Sequence, residues 1–344
     1  MVIGNPPYGA KLGIEDKKTI QKTYTTTKTI KGVQKGSVDS YTLFIELAFN
    51  LLRSKGSLTM IVPISFTSSD ALSGVHRLLM QNCDTIRVSS YAVRPQPVFK
   101  NAVVNTSIIE VYKTQTPCNH LYSTKMYRKC GELNLQTLVD NLEFTDVKDY
   151  TLFGRIPKVG LTIETDILKK LFKLNKLSKY INEKGEPIYY RTTGGRYFKV
   201  VTNYPTGSNK EKPIYLTAQY ANAIGCILSS NLAFWFYQIF SNNLDWKGYE
   251  IENIPLPPFS DKILSQLNAL YEEYLADIER NANCRQTSEG SSYNVSSFKE
   301  YKIGKSKHII DRIDDLICPL YGLTPEETEF IKNYDIKFRL SEEE

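Results

Sequence analysis

Met1-Val2-Ile3-Gly4-Asn5-Pro6-Pro7-Tyr8 opens the chain with three apolar residues that run at once into a glycine, two prolines and an aromatic ring. Val2-Ile3 ahead of Gly4 and the paired prolines reads as the end of a buried strand entering a rigid loop. A proline cannot donate to a sheet ladder and fixes its own φ at about −65°. No signal-peptide pattern is present, so the chain reads as starting inside a fold. Alone, the four residues Asn5 to Tyr8 also fit a plain turn after a strand, and the elements on their C-terminal side decide their weight.

Downstream, residues 41–55 place Phe44, Leu47, Ala48, Leu51 and Leu52 at helical spacing, with Ser40 as candidate N-cap and Gly56 as the stop. Leu58-Thr-Met-Ile-Val-Pro63 then reads as a buried strand leading into Ile64-Ser65-Phe66. A helix is expected over about 69–82, a strand around Thr85–Tyr91, and a hairpin pair at Gln96–Phe99 and Val103–Tyr112.

This order of strand, Asn-Pro-Pro-Tyr, helix, strand ending in Val-Pro, helix, strand and Val-Phe segment resembles the second half of a gamma-type adenine-N6 DNA methyltransferase. The looser run Arg196-Tyr197-Phe198, a long apolar helix and Ile254-Pro-Leu-Pro-Pro258 is similar to the recognition domain of TaqI-like and Type IIG restriction-modification enzymes. The resemblance implies transfer of a methyl group from S-adenosylmethionine to an adenine flipped out of double-stranded DNA. The exocyclic amine is a weak nucleophile because its lone pair is delocalised into the ring, so acceptors must hold it. By the resemblance these are the Asn5 side-chain oxygen and the Pro6 carbonyl, with Pro7 stiffening the loop and Tyr8 stacking on the base. Phe99 matches the family's aromatic at the late hairpin, and Phe66, just past a strand end, is a further pocket candidate. Either ring also fits a core position.

The family's cofactor motif, a Gly-rich turn ahead of Asn-Pro-Pro-Tyr, has no counterpart, since only Met1–Gly4 precede the loop. Gly32 and Gly36 follow no apolar strand, and Thr193-Gly194-Gly195-Arg196 lacks the helix whose N-terminus would bind an anion. Met1–Gly4 is therefore expected to form an unpaired sheet edge. The chain is expected to be a C-terminal fragment or split half of a methyltransferase, from a truncated gene, a mis-called start or a two-piece enzyme whose second polypeptide carries the cofactor-binding half. A specificity module without catalysis remains the alternative.

The expected fold is α/β, the C-terminal half of a Rossmann-like class I methyltransferase sheet, then an α+β recognition domain and a helical end. The expected boundaries are 1–113 for the partial catalytic domain, 114–150 for a connector, 151–260 for target recognition and 261–344 for the helical region. A helix is expected at Ile163–Phe172 and a single one at Ala221–Phe240. Two more are expected at Ile263–Arg280 and Ile309–Tyr321, flanking a mobile loop at Asn281–Ser297. Thr324-Pro325 should open a last helix. Arg191, Arg196, Tyr197 and Lys199, interleaved with aromatics, are candidate DNA contacts; half-buried tyrosines of a β-rich domain fit the same pattern. Asp311, Asp314 and Asp315 read as a solvated acidic face rather than a metal site, and no nuclease arrangement is visible.

Over 344 residues, 41% hydrophobic and 23% charged composition excludes a disordered or fibrous chain and allows about two domains. No apolar run reaches the roughly 18 residues that a membrane span requires. Six scattered cysteines without a CxxC argue against a zinc or disulfide framework and for a reducing, cytoplasmic compartment. The net charge of +6 combines a basic stretch over residues 1–260 with an acidic one beyond, and the basic part suits a polyanion such as DNA.

Overall fold

Leu58, Met60 and Val62 alternate with half-buried neighbours along β2 (Ser57–Pro63), and this two-residue period places the strand inside a sheet with one dry face. The computed structural model describes every residue except 10–11, 29–37, 100–102, 130–134, 194–197, 287–296 and 341–344. It divides into two compact units, Met1–Leu168 and Lys169–Glu344.

In the first unit β1 (Val2–Gly4) leads through α1 (Ile14–Thr23) and α2 (Ser40–Leu51) into β2. α3 (Ser65–Ser68), α4 (Ser73–Asn82), β3 (Thr85–Tyr91), β4 (Thr106–Tyr112) and β5 (His120–Tyr127) come next, then α5 (Leu135–Asp140) and β6 (Thr145–Asp146); α6 (Thr162–Leu171) spans the division after Leu168. The six strands lie in the order β1-β2-β4-β3-β5-β6. β1 pairs parallel with β2, β4 is antiparallel to both β2 and β3, and β5 is parallel to β3. β1, β2, β3 and β5 thus run one way and β4 the other. β1 lies at the edge as expected; Met1 is 84% and Ile3 69% exposed.

Three expectations need correction. α2 buries Tyr41, Ile45, Ala48, Phe49 and Leu52, while Phe44, Leu47 and Leu51 face solvent. The helix carries two apolar stripes, both at helical spacing, and periodicity alone cannot choose between them. Gln96–Phe99 does not pair with Val103–Tyr112; β4 inserts between β2 and β3 instead, and Gln96 bridges to Lys129. Residues 114–150 are no mere connector, because β5 and β6 extend the same sheet. The β5 side chains Leu121 and Met126 are buried, which the polar residues around them concealed.

Lys113 shows how the sheet and α2 lock. Its ammonium donates to the carbonyls of Phe49 (2.9 Å) and Leu52 (3.0 Å), at the end of the helix where carbonyls lack the i+4 N–H of a helix interior.

The second unit holds β7 (Asn175–Lys176), then a three-stranded sheet of β8 (Ile181–Arg191), β9 (Val201–Thr202) and β10 (Glu211–Leu216) in the order β10-β8-β9. α7 (Ala218–Leu228) and α8 (Asn231–Phe240) form its apolar spine. α9 (Gly248–Glu252), β11 (Pro255–Leu256), α10 (Asp261–Arg280), β12 (Asn283–Gln286), β13 (Ser297–Glu300), α11 (Lys307–Ile317), α12 (Pro325–Asn333) and α13 (Ile336–Leu340) complete it. Recognition and helical regions, expected to divide at 260, share this unit: a Cβ on Gly225 of α7 would meet the Tyr271 ring of α10 at 2.8 Å.

The helix expected over Ala221–Phe240 is two helices bent by 73°. Ser230 caps the second by accepting from the Ala233 N–H at 3.0 Å. No single helix among the described residues is long and apolar enough to cross a membrane. Part of the expected loop Asn281–Ser297 is strand, with β12 paired to β13; residues 287–296 lie outside the described residues. Thr324 caps α12 as expected, with its hydroxyl accepting from Glu327 N–H and the Glu327 carboxylate accepting from Thr324 N–H.

Candidate functional site at the strand ends

β1, β2 and β3 are codirectional, so Gly4, Pro63 and Tyr91 end on one rim of the sheet. β4 begins there, with Thr106 opposite both Pro63 and Tyr91. Ligand sites of open α/β sheets lie outside such carboxyl ends. Three segments leave this rim: the loop from Asn5, the turn at Ile64 into α3, and residues 92–105.

The first loop is held from several sides. Pro6 is buried, Asn5 and Pro7 are exposed, and Tyr8 is half-buried. Ser40, at the start of α2, donates its hydroxyl to the Pro7 carbonyl at 2.6 Å. The Tyr8 ring meets Tyr41 edge-on, with centroids 6.4 Å apart at 83°. Tyr41 is buried and shares a 2.9 Å hydrogen bond with the Ser65 hydroxyl at the start of α3. The Tyr8 hydroxyl lies 3.0 Å from the Ile61 carbonyl and 3.0 Å from Asn5 Oδ1. The β1–β2 pairing ends at Gly4 opposite Met60, so the Tyr8 side chain takes up a β2 carbonyl one residue beyond the ladder. Burial raises the pKa of both Tyr8 and Tyr41 above the usual phenol value, so both hydroxyls keep their protons. Burial also pushes the Asp39 carboxyl up, against backbone N–H groups of Gly9, Tyr41 and Ser40 that favour its charge.

Behind the loop, Glu46 of α2 accepts from Thr25 N–H (2.9 Å), Thr25 hydroxyl (2.9 Å) and Thr26 N–H (2.8 Å). Burial alone would raise its carboxyl, but these donors outweigh burial and hold it below the usual range. The chain leading from α1 to α2 is thereby tied to the helix that supplies Ser40 and Tyr41.

The other expected site residues fall into different surroundings. Phe99 is half-buried in the 92–105 segment, which the rim anchors: Ile64 N–H donates to the Asn105 carbonyl at 2.9 Å and Val93 N–H to Asn105 Oδ1 at 2.7 Å. No ring contact joins Phe99 to Tyr8 among the described residues. Phe66 is 1% exposed, with its ring edge-on to His76 at 5.1 Å and its carbonyl 2.6 Å from His76 Nε2. Its backbone sits at the rim while its ring lines an apolar interior cleft with Leu79, Ile86 and Ile156.

Lys199 needs correction as a DNA contact. It is buried, with Nζ 4.0 Å over the Tyr237 ring, and burial pushes its pKa down to about 7 although Glu250 and Asp245 pull upward. Arg191 is half-buried, its guanidinium 5.9 Å from the Tyr301 ring and 3.5 Å from the Lys299 carbonyl. Arg196 and Tyr197 lie outside the described residues.

The acidic face is corrected as well. Asp314 is fully buried and accepts from the N–H groups of Asn231 and Leu232 at 3.0 Å each, so it caps α8. Asp311 pairs with Lys307, and Asp315 pairs with Lys332 at 2.9 Å. No cluster of metal-ligating side chains occurs among the described residues.

Tyr41, Ser65 and the Ile61 carbonyl were not singled out as site groups from the sequence. Ser40 was expected as the N-cap of α2, but Asp39 occupies the N-cap, and Ser40 inside the first turn serves the Pro7 carbonyl. A backbone carbonyl leaves no trace in a sequence pattern.

The first 99 residues match the family described as Eco57I restriction-modification methylase. Among curated proteins the chain is similar to the Type II restriction enzyme and methyltransferase RM.Eco57I of Escherichia coli, 24% identical over 199 residues. That match covers 58% of this chain and 19% of the relative, so the chain spans about a fifth of the curated protein's length. Among solved structures, the Type IIL restriction-modification enzyme MmeI in complex with DNA is similar in fold, with a TM-score of 0.55 at 10% identity. The alignment covers 99% of this chain and 57% of that one. A DrdV–DNA complex aligns at a TM-score of 0.44 and 11% identity, over 85% of this chain and 46% of the other.

Proposed function

We propose that this chain supplies the target-base pocket and DNA-recognition part of an adenine-N6 DNA methyltransferase of a restriction-modification system. The observation that carries the reading is the Asn5–Tyr8 loop, fixed at the carboxyl end of β1 by Ser40, Tyr41 and Ile61. The resemblance of residues 1–99 to restriction-modification methylases supports it, and the DNA-bound fold neighbour agrees with DNA as the partner.

In this reading Asn5 Oδ1 and the Pro6 carbonyl accept the two N–H bonds of the adenine amine. Both amine protons are then engaged, and the nitrogen turns its lone pair out of the ring plane. The prolines keep the acceptors from drifting, which lowers the entropic part of the barrier. Tyr8 stacks on the flipped base, and Phe99, on a loop anchored to the same rim, closes over it. No tuned general base is required, since the amine proton leaves after methylation.

S-adenosylmethionine supplies the methyl group. Among the described residues no Gly-rich turn links a strand to a helix N-terminus, and none is assigned to hold the cofactor. The reading therefore calls for a cofactor-binding half beside the unpaired side of β1, on a second polypeptide or elsewhere in the same enzyme.

Methyl transfer to DNA, read as N6-methyladenine by mass spectrometry, tests the reading for the chain alone and with the polypeptide encoded next to it. Asn5→Ala should reduce transfer at least a hundredfold while DNA affinity stays within a few-fold. Undiminished transfer would remove Asn5 from the mechanism. Cofactor binding by the chain alone would remove the need for a separate half.

A further inference from the structure

Around Tyr8 there are two acceptors and one proton. The hydroxyl lies 3.0 Å from both the Ile61 carbonyl and Asn5 Oδ1, and a phenol has a single hydrogen to give. The acceptors are not equivalent. The Ile61 carbonyl belongs to β2, where Ile61 pairs with Ile108, and a carbonyl can only accept. The Asn5 carboxamide carries a donor and an acceptor on one exposed group, and a half-turn about its last side-chain bond exchanges them. Among the described residues no other group bonds the Asn5 side chain.

With Asn5 Oδ1 towards Tyr8, the hydroxyl divides its proton between two acceptors, and the Asn5 Nδ2 points outward. With Nδ2 towards Tyr8, every group has its own role. Asn5 Nδ2–H donates to Tyr8 Oη, Tyr8 O–H donates to Ile61 O, and Asn5 Oδ1 points outward as an open acceptor.

We propose that the Tyr8 hydroxyl is a positioning group that sets which end of the Asn5 carboxamide meets the target base. When a base with an exocyclic amine enters, the Tyr8 proton commits to Ile61, Asn5 turns, and Oδ1 accepts from the amine. A purine with a carbonyl at that position meets an acceptor instead. To bind it, Asn5 turns back and Tyr8 divides its proton again, at the expense of about one hydrogen bond. The chain of bonds from Asn5 through Tyr8 to Ile61 thus favours an aminopurine over an oxopurine before any methyl group is transferred. The inference rests on the base-pocket reading above and adds to it a role for the phenol oxygen, which stacking alone does not use.

The test uses the full chain and fluorescence anisotropy with duplexes that carry a central adenine or hypoxanthine opposite an abasic site. The wild-type chain should bind the adenine duplex more tightly by a factor above the roughly three- to tenfold of one hydrogen bond, since both the Asn5 orientation and the Pro6 carbonyl favour the amine. Tyr8→Phe keeps the ring but frees Asn5 to turn either way, so the preference should fall by about the factor for one hydrogen bond, to what the Pro6 carbonyl alone gives. A preference that survives undiminished in Tyr8→Phe overturns the proposal and leaves the base pocket standing. No preference in the wild-type chain overturns the pocket reading and the proposal together. Nitrogen-15 spectra of the wild-type chain give an answer that does not depend on folding of the variant. The Asn5 side-chain NH2 signals should shift on addition of the adenine duplex and differ from those with hypoxanthine; identical signals with both duplexes overturn the proposal.

Discussion

In the Met1–Leu168 unit, Asn5, Pro7 and Tyr8 are held at an open rim through backbone carbonyls and neighbouring hydroxyls, whereas in the Lys169–Glu344 unit the strongest polar arrangements lie inside. There Asp314 caps α8 in the core, Lys199 sits over Tyr237, and the buried Arg339 guanidinium stacks 4.3 Å from Phe198 and 4.4 Å from Phe234. The contrast separates two uses of polar side chains. At the rim, groups with capacity to spare can still meet a ligand. In the core, the same residue types are spent on helix ends and aromatic faces, and their charge tells nothing about a partner.

The contrast can be broken first at Asp314. Asp314→Ala leaves the N–H groups at the start of α8 without an acceptor in a buried site, and should destabilise the chain by about 2 to 4 kcal/mol. Chemical denaturation measures this, and a loss under about 0.5 kcal/mol would place the capping role in doubt.

Lys199 gives a smaller effect of opposite sign. Its pKa falls from 10.5 in the unfolded chain to about 7 in the fold. Between those values the unfolded chain binds the extra proton, so this residue makes stability rise with pH across that window. Below about pH 7 the burial penalty on the charge is fully present. Lys199→Met should therefore stabilise the chain at pH 6 by about 1 to 2 kcal/mol and flatten the slope above pH 7. Unfolding midpoints from pH 6 to 10 check both signs. DNA affinity of the same variant should not change, since a buried ammonium reaches no phosphate.

Glu46, buried behind the loop of the first unit, gives the smallest effect. Glu46→Gln keeps one acceptor oxygen for Thr25 and Thr26 but loses the charge, at about 1 kcal/mol. The folded carboxyl is held below its unfolded value, so its contribution is present above the unfolded pKa and lost as pH falls through the folded one. Urea midpoints of wild type and variant should differ at pH 7 and converge in acid.

The reach of the sequence follows the same division. β3 lies at Thr85–Tyr91 where a strand was expected, and the two-proline loop emerges from the edge strand, because each feature depends on local backbone chemistry. Of the apolar residues expected at helical spacing on α2, Ala48 and Leu52 are buried and Phe44, Leu47 and Leu51 are not, because two apolar stripes differ only in tertiary context. β5 was hidden among polar residues because one face of a strand near the sheet margin needs few apolar side chains. Lys199 looked like a phosphate contact because a long cationic side chain beside aromatics reads the same on a surface as over a buried tyrosine. Tyr8 was legible as an aromatic ring, but the bond from its hydroxyl to Ile61 depends on the register of β1 against β2.

That register also bears on how the chain behaves as a material. Val2-Ile3-Gly4 carries neither lysine nor proline, the usual guards of a strand edge, and among the described residues no strand covers its outer side. Three residues make a short template, yet α2 adds Phe44, Leu47 and Leu51 to the apolar surface of the same unit. Encounters between folded molecules at this edge and face should therefore make the chain self-associate as its concentration rises, which light scattering over a dilution series reads directly.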